Sequence, residues 1–197
     1  MHTEILIYDA FEELDAIGPY DVLQRAGFDV AYVTAEPTAR IEASRGTIVV
    51  PHRELSEHVE LLIVPGGPYT GRPPRGTWAE EQRGVLAPAI AARHAAGATV
   101  ASVCTGAFLL AAGGLLDGRP ATTHHDNLDD LDGKAAQVVR DARVVDDGDI
   151  VTSAGVTSGI DMALWLAGKH KGREAADRAA AGMEYRRDRS VWQAARS

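Results

Sequence analysis

The chain has 197 residues, 45% hydrophobic and 24% charged, with a formal net charge of −8 and a pI of about 5.3. Those values suit one globular domain over residues 1–197 and argue against a nucleic-acid binder, whose phosphate contacts need a basic face. The single cysteine, Cys104, excludes an internal disulfide, so the fold depends on its core.

The opening "MHTEILIYDAF" has no basic segment ahead of its apolar residues, and its apolar part is too short for a signal peptide or membrane span. A cytoplasmic protein with no membrane partner is expected. "EILIYD" (4–9) reads as a strand. "GPYDVLQRAG" (18–27) reads as a helix, with proline near its start and glycine at its end. "FDVAYVT" (28–34) and the β-branched "GTIVVP" (46–51) follow as strands. "LLIVPGG" (61–67) is a buried strand that breaks at Pro-Gly-Gly.

A long helix is expected over 78–96, stopped by Gly97, and then a strand in "ATVASVC" (98–104). The apolar run after Cys104 reads as a helix to Gly113 or Gly114, and "DNLDDLDGKAAQVVRDA" (126–142) as another, interrupted or begun late near Gly133. "RVVDDGDIVTSA" (143–154) predicts two strands about an Asp147-Gly148 turn. "TSGIDMALWLAGKH" (157–170) predicts an amphipathic helix, with one or two more beyond it. The basic end "EYRRDRSVWQAARS" reads as a solvated helix or tail. Strands alternating with helices predict an α/β fold: a doubly wound, mostly parallel sheet with helices on both faces. Ligands then bind beyond the carboxyl ends of strands, which singles out Asp9 through Asp15, Pro65 through Gly67, and Cys104.

Cys104 lies where a strand gives way to a helix. A sharp turn there lifts a nucleophile out of the sheet, and the helix N-terminus favours a thiolate, so a thiol pKa below the usual value of about 8.5 is expected. Core packing competes with this reading, because free cysteine behaves as a small hydrophobe. Gly106 would let the helix approach the strand. The N–H groups of Gly67 and Thr105 are candidates for an oxyanion site. Asp15, between Leu14 and Ala16-Ile17, precedes the expected helix and would have a raised pKa if buried. Glu12, Glu13 and Asp21 read as solvated charges. "GVTSG" (155–159) places its serine one position too late for a Gly-x-Ser-x-Gly elbow. His124 and His125 are adjacent, so a metal site would need distant ligands that the sequence does not identify. One buried and one exposed histidine is the reading, with no metal expected.

The motifs "LDAIGPYDVL", "LLIVPGG", "SVCTGAFLLAAGGLLDGRPATTHH" and "VTSAGVTSGIDMAL" together resemble the ThiJ/PfpI superfamily, of class I glutamine amidotransferase-like, flavodoxin-like fold. The resemblance spans nearly the whole chain. It implies a reactive Cys104 on a nucleophile elbow, Asp15 within hydrogen-bond reach of its sulfur, and a homodimer. Thr105 stands where the peptidase-like members have histidine. Cys-Thr-Gly with the Leu-Asp…Gly-Pro-Tyr motif is most similar to the isonitrile hydratase subfamily, which adds water to an isonitrile to give an N-substituted formamide. That likeness implies Cys104 as nucleophile, Asp15 as general acid and base, and Thr105 as a positioning residue. Gly66, Gly67 and His124 are the substrate-binding candidates. No cofactor is implied, and the partner is a small-molecule substrate.

The subfamily usually has an aromatic residue where this chain has His125. A pocket-facing His125 would favour polar isonitriles, and a solvent-facing one would be neutral drift. Similar domains form the N-terminal half of AraC-type regulators, but no stretch is left over for their helix-turn-helix pair. The alternative function is a non-catalytic ligand-binding or redox-sensing module built on an oxidation-prone thiol.

Overall fold

The computed structural model describes residues 1–188 and 190–194. In chain order the first elements are β1 (His2–Leu6), α1 (Glu13–Arg25), β2 (Asp29–Thr34), β3 (Ile41–Glu42), β4 (Ile48–Val49), β5 (Arg53–Glu54) and β6 (Leu61–Val64). There follow α2 (Thr77–Arg83), α3 (Leu86–Ala95), β7 (Thr99–Val103), α4 (Gly106–Ala112), β8 (Pro120–Ala121), α5 (Leu128–Leu131) and β9 (Gln137–Val138). The last are β10 (Val144–Asp146), β11 (Ile150–Ser153), α6 (Ser158–Lys171), α7 (Arg173–Gly182) and β12 (Val191–Gln193).

The main sheet has the order β12-β10-β11-β7-β6-β1-β2-β5. Its pairings are parallel except that of β10 with β11. The centre is apolar on both faces, as a covered parallel sheet requires: Leu61, Leu62, Ile63 and Val64 of β6 are all fully buried. Helices α1, α6 and α7 pack together on one side, and α2, α3 and α4 on the other. This is the expected α/β fold. Strands β1, β6 and β7 are neighbours, and the strand order reverses between β1 and β6. Their carboxyl ends therefore open side by side at the switch point, where such folds bind ligands. No described helix is long and apolar enough to cross a membrane.

Several elements differ from expectation. Helix α1 begins at Glu13, not near Gly18, and holds Pro19 in its interior. Glu13 and Asp15 occupy its first turn, where acids complement the dipole. Asp15 is thus inside the helix rather than ahead of it. The long helix expected at 78–96 is two helices, broken at Gly84, which takes φ 72°. The helix expected at 126–142 is a single 3₁₀ turn (His125–Asn127) plus the four residues of α5, and β9 follows. Strand β4 pairs antiparallel with β3 in a hairpin outside the main sheet. The basic end contributes β12, which extends the sheet beside β10. Its Arg189 and positions 195–197 lie outside the described residues.

Candidate active site

Cys104 follows β7 directly and takes φ 57°, a left-handed conformation uncommon for a residue with a Cβ. The surroundings hold it there. Its N–H donates to the carbonyls of Ser153 and Ala154, both at 3.1 Å. Its carbonyl accepts from Thr123 Oγ1 at 2.8 Å. Gly106 allows the close approach: a Cβ there would stand 2.3 Å from the Val64 carbonyl oxygen and 2.8 Å from that of Pro65. Ala10 at φ 57°, in the loop after β1, and Val156 at φ 27°, in the loop after β11, are further strained positions. Backbone strain of this kind costs about 1–3 kcal/mol per residue and persists where the surroundings over-determine it. The expected elbow is present.

Asp15 is fully buried. Its Oδ2 accepts from Gly66 N–H at 2.9 Å, and its Oδ1 has no hydrogen-bond partner. Burial holds the carboxyl well above the usual carboxylate range; the Gly66 N–H pulls it down and the Glu12 carboxylate pushes it further up. No hydrogen bond joins Asp15 to Cys104 among the described residues, so the expected direct contact with sulfur is not made. Gly66 stands between Asp15 and Thr105: a Cβ on it would lie 2.6 Å from Thr105 Oγ1 and 3.0 Å from Asp15 Oδ2.

The oxyanion expectation also changes. Gly67 N–H donates to Thr105 Oγ1 at 2.9 Å, and the Thr105 hydroxyl donates to the Gly67 carbonyl at 2.7 Å. That N–H is committed to fastening the β6 turn onto the elbow. Behind Thr105 runs a buried hydroxyl chain, with Thr77 Oγ1 at 3.1 Å and the Tyr8 hydroxyl 2.9 Å beyond it.

The expected low thiol pKa is overturned. Burial pushes the Cys104 thiol up to about 12, and the Asp15 carboxylate adds to the rise. The N–H groups of Val156 and Thr105 and the Thr105 hydroxyl act in the opposite direction. Helix α4 has only seven residues, and the favourable end of its dipole does not outweigh desolvation.

Cys104 and Thr105 open onto a cavity of about 490 Å³ that Gly67, His124, Tyr69 and Asn127 also line. Gly66 is not part of this lining; it lies behind, against Asp15. His124 sits against Gly155, where a Cβ would come within 2.5 Å of its ring. Burial lowers the pKa of His124, and neighbouring His125 lowers it further. His125 is 78% exposed and outside the lining, so it builds no pocket wall.

Glu12, Ser44 and Arg45 line the cavity as well, and sequence reasoning missed them. Glu12, read as a solvated charge, accepts from Ser44 Oγ at 3.1 Å and lies 3.7 Å from Arg45. The β3–β4 hairpin delivers Ser44 and Arg45, and no local pattern announces that a hairpin 32 residues away will meet the start of α1. His124, His125 and Asp126 bring ligand atoms within 4.8 Å of one another. The third group that the adjacent histidines lacked in the sequence reading is thus the next residue.

A doubly wound sheet carrying a strained cysteine just past a central strand, with a buried acid in the first turn of the helix that follows a strand two places along, defines a class of cysteine-bearing α/β proteins. The chain belongs to the DJ-1/PfpI family, whose profile matches residues 2–168. It is 34% identical over 182 residues to isonitrile hydratase of Pseudomonas putida, covering 91% of this chain and 76% of that one. It is 25% identical over 183 residues to protein dj-1beta of Drosophila melanogaster, covering 91% and 94%. A ThiJ/PfpI family protein from Pseudomonas syringae has the same fold, with a TM-score of 0.85 at 29% identity over 95% of this chain and 76% of that one.

Proposed function

We propose that this chain hydrates an isonitrile to an N-substituted formamide, with Cys104 as nucleophile and Asp15 as proton carrier. The observation that carries the reading is the Asp15 carboxyl: buried, raised in pKa, with one oxygen lacking a hydrogen bond, and held by Gly66 at the same end of the sheet as the strained Cys104. The likeness to the Pseudomonas putida enzyme supports it.

The first step adds the thiol S–H across the terminal isonitrile carbon. Sulfur bonds to that carbon, the carbon gains a proton, and the S–H bond breaks, leaving a thioimidate. Asp15 relays the proton, as a carboxyl held above its usual range can. The addition consumes the thiol proton. Water then attacks the thioimidate carbon with Asp15 as base, and nitrogen takes up a proton. The C–S bond breaks, the formamide leaves, and the thiol regains its proton. The N–H groups of Val156 and Thr105 lower the charge cost of the departing sulfur. Thr105, held by Gly67 and Thr77, keeps the elbow and the β6 turn in register.

A redox-sensing module, the alternative, works best with an exposed thiol of low pKa. Cys104 is 6% exposed with a raised pKa, which tells against that role. Steady-state kinetics with simple alkyl and aryl isonitriles, with formamide followed by NMR, tests the reading. Formamide should form catalytically and cease with Cys104→Ser. Ligand binding or thiol oxidation without formamide would overturn it. The same reading makes the protein a cytoplasmic homodimer acting on a small molecule, and sedimentation velocity checks the oligomeric state.

A further inference from the structure

We propose that His124, His125 and Asp126 form a site for a divalent transition-metal cation of the zinc class at the mouth of the Cys104 cavity, and that the bound cation closes the cavity. The donor set is two imidazoles and one carboxylate, which suits zinc. The spacing is also near what such an ion needs. Ligand bonds of about 2.0–2.2 Å in a tetrahedron place ligand atoms about 3.3–3.6 Å apart. Here one ligand atom from each of the three residues lies within 4.8 Å of the others; His125 Nε2 is 3.1 Å from Asp126 Oδ1, and His124 Nδ1 is 3.6 Å from the other carboxylate oxygen, Oδ2. The rings are already gathered, with centroids 4.3 Å apart.

The backbone pre-organises the group. The three residues are consecutive, and His125 and Asp126 belong to one 3₁₀ turn that His124 caps, so little chain entropy is lost in bringing the ligands together. The competing interaction is weak: His124 Nδ1 accepts only a 3.3 Å hydrogen bond from Asp126 N–H, which a metal would displace. Position supplies the consequence. His124 and Asp126 line the cavity that Cys104 opens onto, so a cation held between them and His125 stands across the entrance. This inference does not depend on which reaction the cysteine performs.

The test uses the full-length, untagged chain. Calorimetric titration with Zn²⁺ should show saturable binding at one ion per chain, and Co²⁺ in its place should give the intense visible bands of a tetrahedral site. His125→Ala and Asp126→Asn should each weaken binding by more than about tenfold, the scale of disturbing a metal's ligand set. Cys104→Ser should bind within about threefold of wild type, because the ligands assigned here are nitrogen and oxygen. Zn²⁺ should slow iodoacetamide alkylation of Cys104 in wild type and not in His125→Ala. Both altered side chains are mainly solvent-exposed, and unchanged thermal unfolding midpoints would verify that the fold is kept. The proposal is overturned by the absence of saturable binding, by binding that survives both substitutions, or by binding lost only in Cys104→Ser, which would put the metal on sulfur.

Discussion

Asp146 and Asp15 are both hidden from water, at 5% and 0% exposure, yet they are treated in opposite ways. Asp146, near one edge of the sheet, is surrounded by donors. Lys169 Nζ reaches its two oxygens at 2.8 and 2.9 Å, Trp165 Nε1 donates at 2.8 Å and Gly148 N–H at 2.9 Å. Asp161 is similar, with Arg143, the Tyr185 hydroxyl and Asp188 N–H around it. Asp15 has one backbone N–H, and no cation bonds to it among the described residues. A buried charge costs several kcal/mol unless it is paired, so Asp146 and Asp161 are compensated as structural groups are. Asp15 is left uncompensated, and a group in that state holds its proton into the pH range where it can exchange it. Strained backbone gathers at the same end of the sheet as Asp15.

Substitutions at the two ends should separate these roles. The largest effect is expected from Asp15→Asn, which should lower kcat by about 10²–10⁴-fold, the usual worth of a general acid–base group. Stopped-assay kinetics with an alkyl isonitrile checks this, and a loss of less than tenfold would make Asp15 a packing residue. Lys169→Met should cost about 3–5 kcal/mol of stability by leaving Asp146 buried without its cation. Urea denaturation measures the loss, while Cys104 alkylation in the folded protein should keep its wild-type rate. Gly106→Ala should cost about 1–3 kcal/mol as an overpacking change against the Val64 carbonyl, and should perturb the elbow as well.

Asp15→Asn carries a smaller effect on stability, opposite in sign to its effect on turnover. The folded-state pKa of Asp15 is raised above its ordinary value of 3.8. Its contribution to stability is therefore complete below that value and is lost as pH rises toward the folded pKa. Asparagine has no such loss and can still accept from Gly66. The variant should be more stable than wild type at neutral pH by about 0.5–2 kcal/mol, and the gap should shrink in acid. Thermal unfolding across pH measures it, and a variant less stable at pH 7 would show Asp15 to be a stabilising charge like Asp146. The smallest effect belongs to His125→Trp. With His125 mainly exposed, the ranking of polar against apolar isonitriles by kcat/KM should not move.

Much of the molecule was legible from local pattern. Cys104 between an apolar strand and an apolar helix, glycine two residues on, and the Pro-Gly-Gly stop after Val64 announced the ends that matter. Pattern failed where neighbours in sequence were not the deciding neighbours. Gly84 falls inside the stretch expected as one helix and instead takes a left-handed turn that splits it. The acidic and alanine-rich run after Asn127 looked helical, but only four of its residues are α-helical, and Gln137–Val138 pairs with Pro120–Ala121. Glu12 looked solvated because nothing near it in the chain foretells Ser44 and Arg45.

The amino-acid order by itself determined the α/β class, the elbow at Cys104 and the grouping of Asp15 and Gly66-Gly67 with it. Those are consequences of periodicity, turn chemistry and backbone sterics, which act between residues a few positions apart. Only the tertiary structure decided that the Gly67 N–H is spent on Thr105, that the thiol rests high rather than low, and that Asp146 is neutralised while Asp15 is not. Those properties depend on desolvation and on charges arriving through space. The order of strands in the sheet sets both, bringing Gly67 to Thr105, 38 positions on, and Asp15 into the field of Cys104, 89 positions on, although residue types alone do not say which will meet.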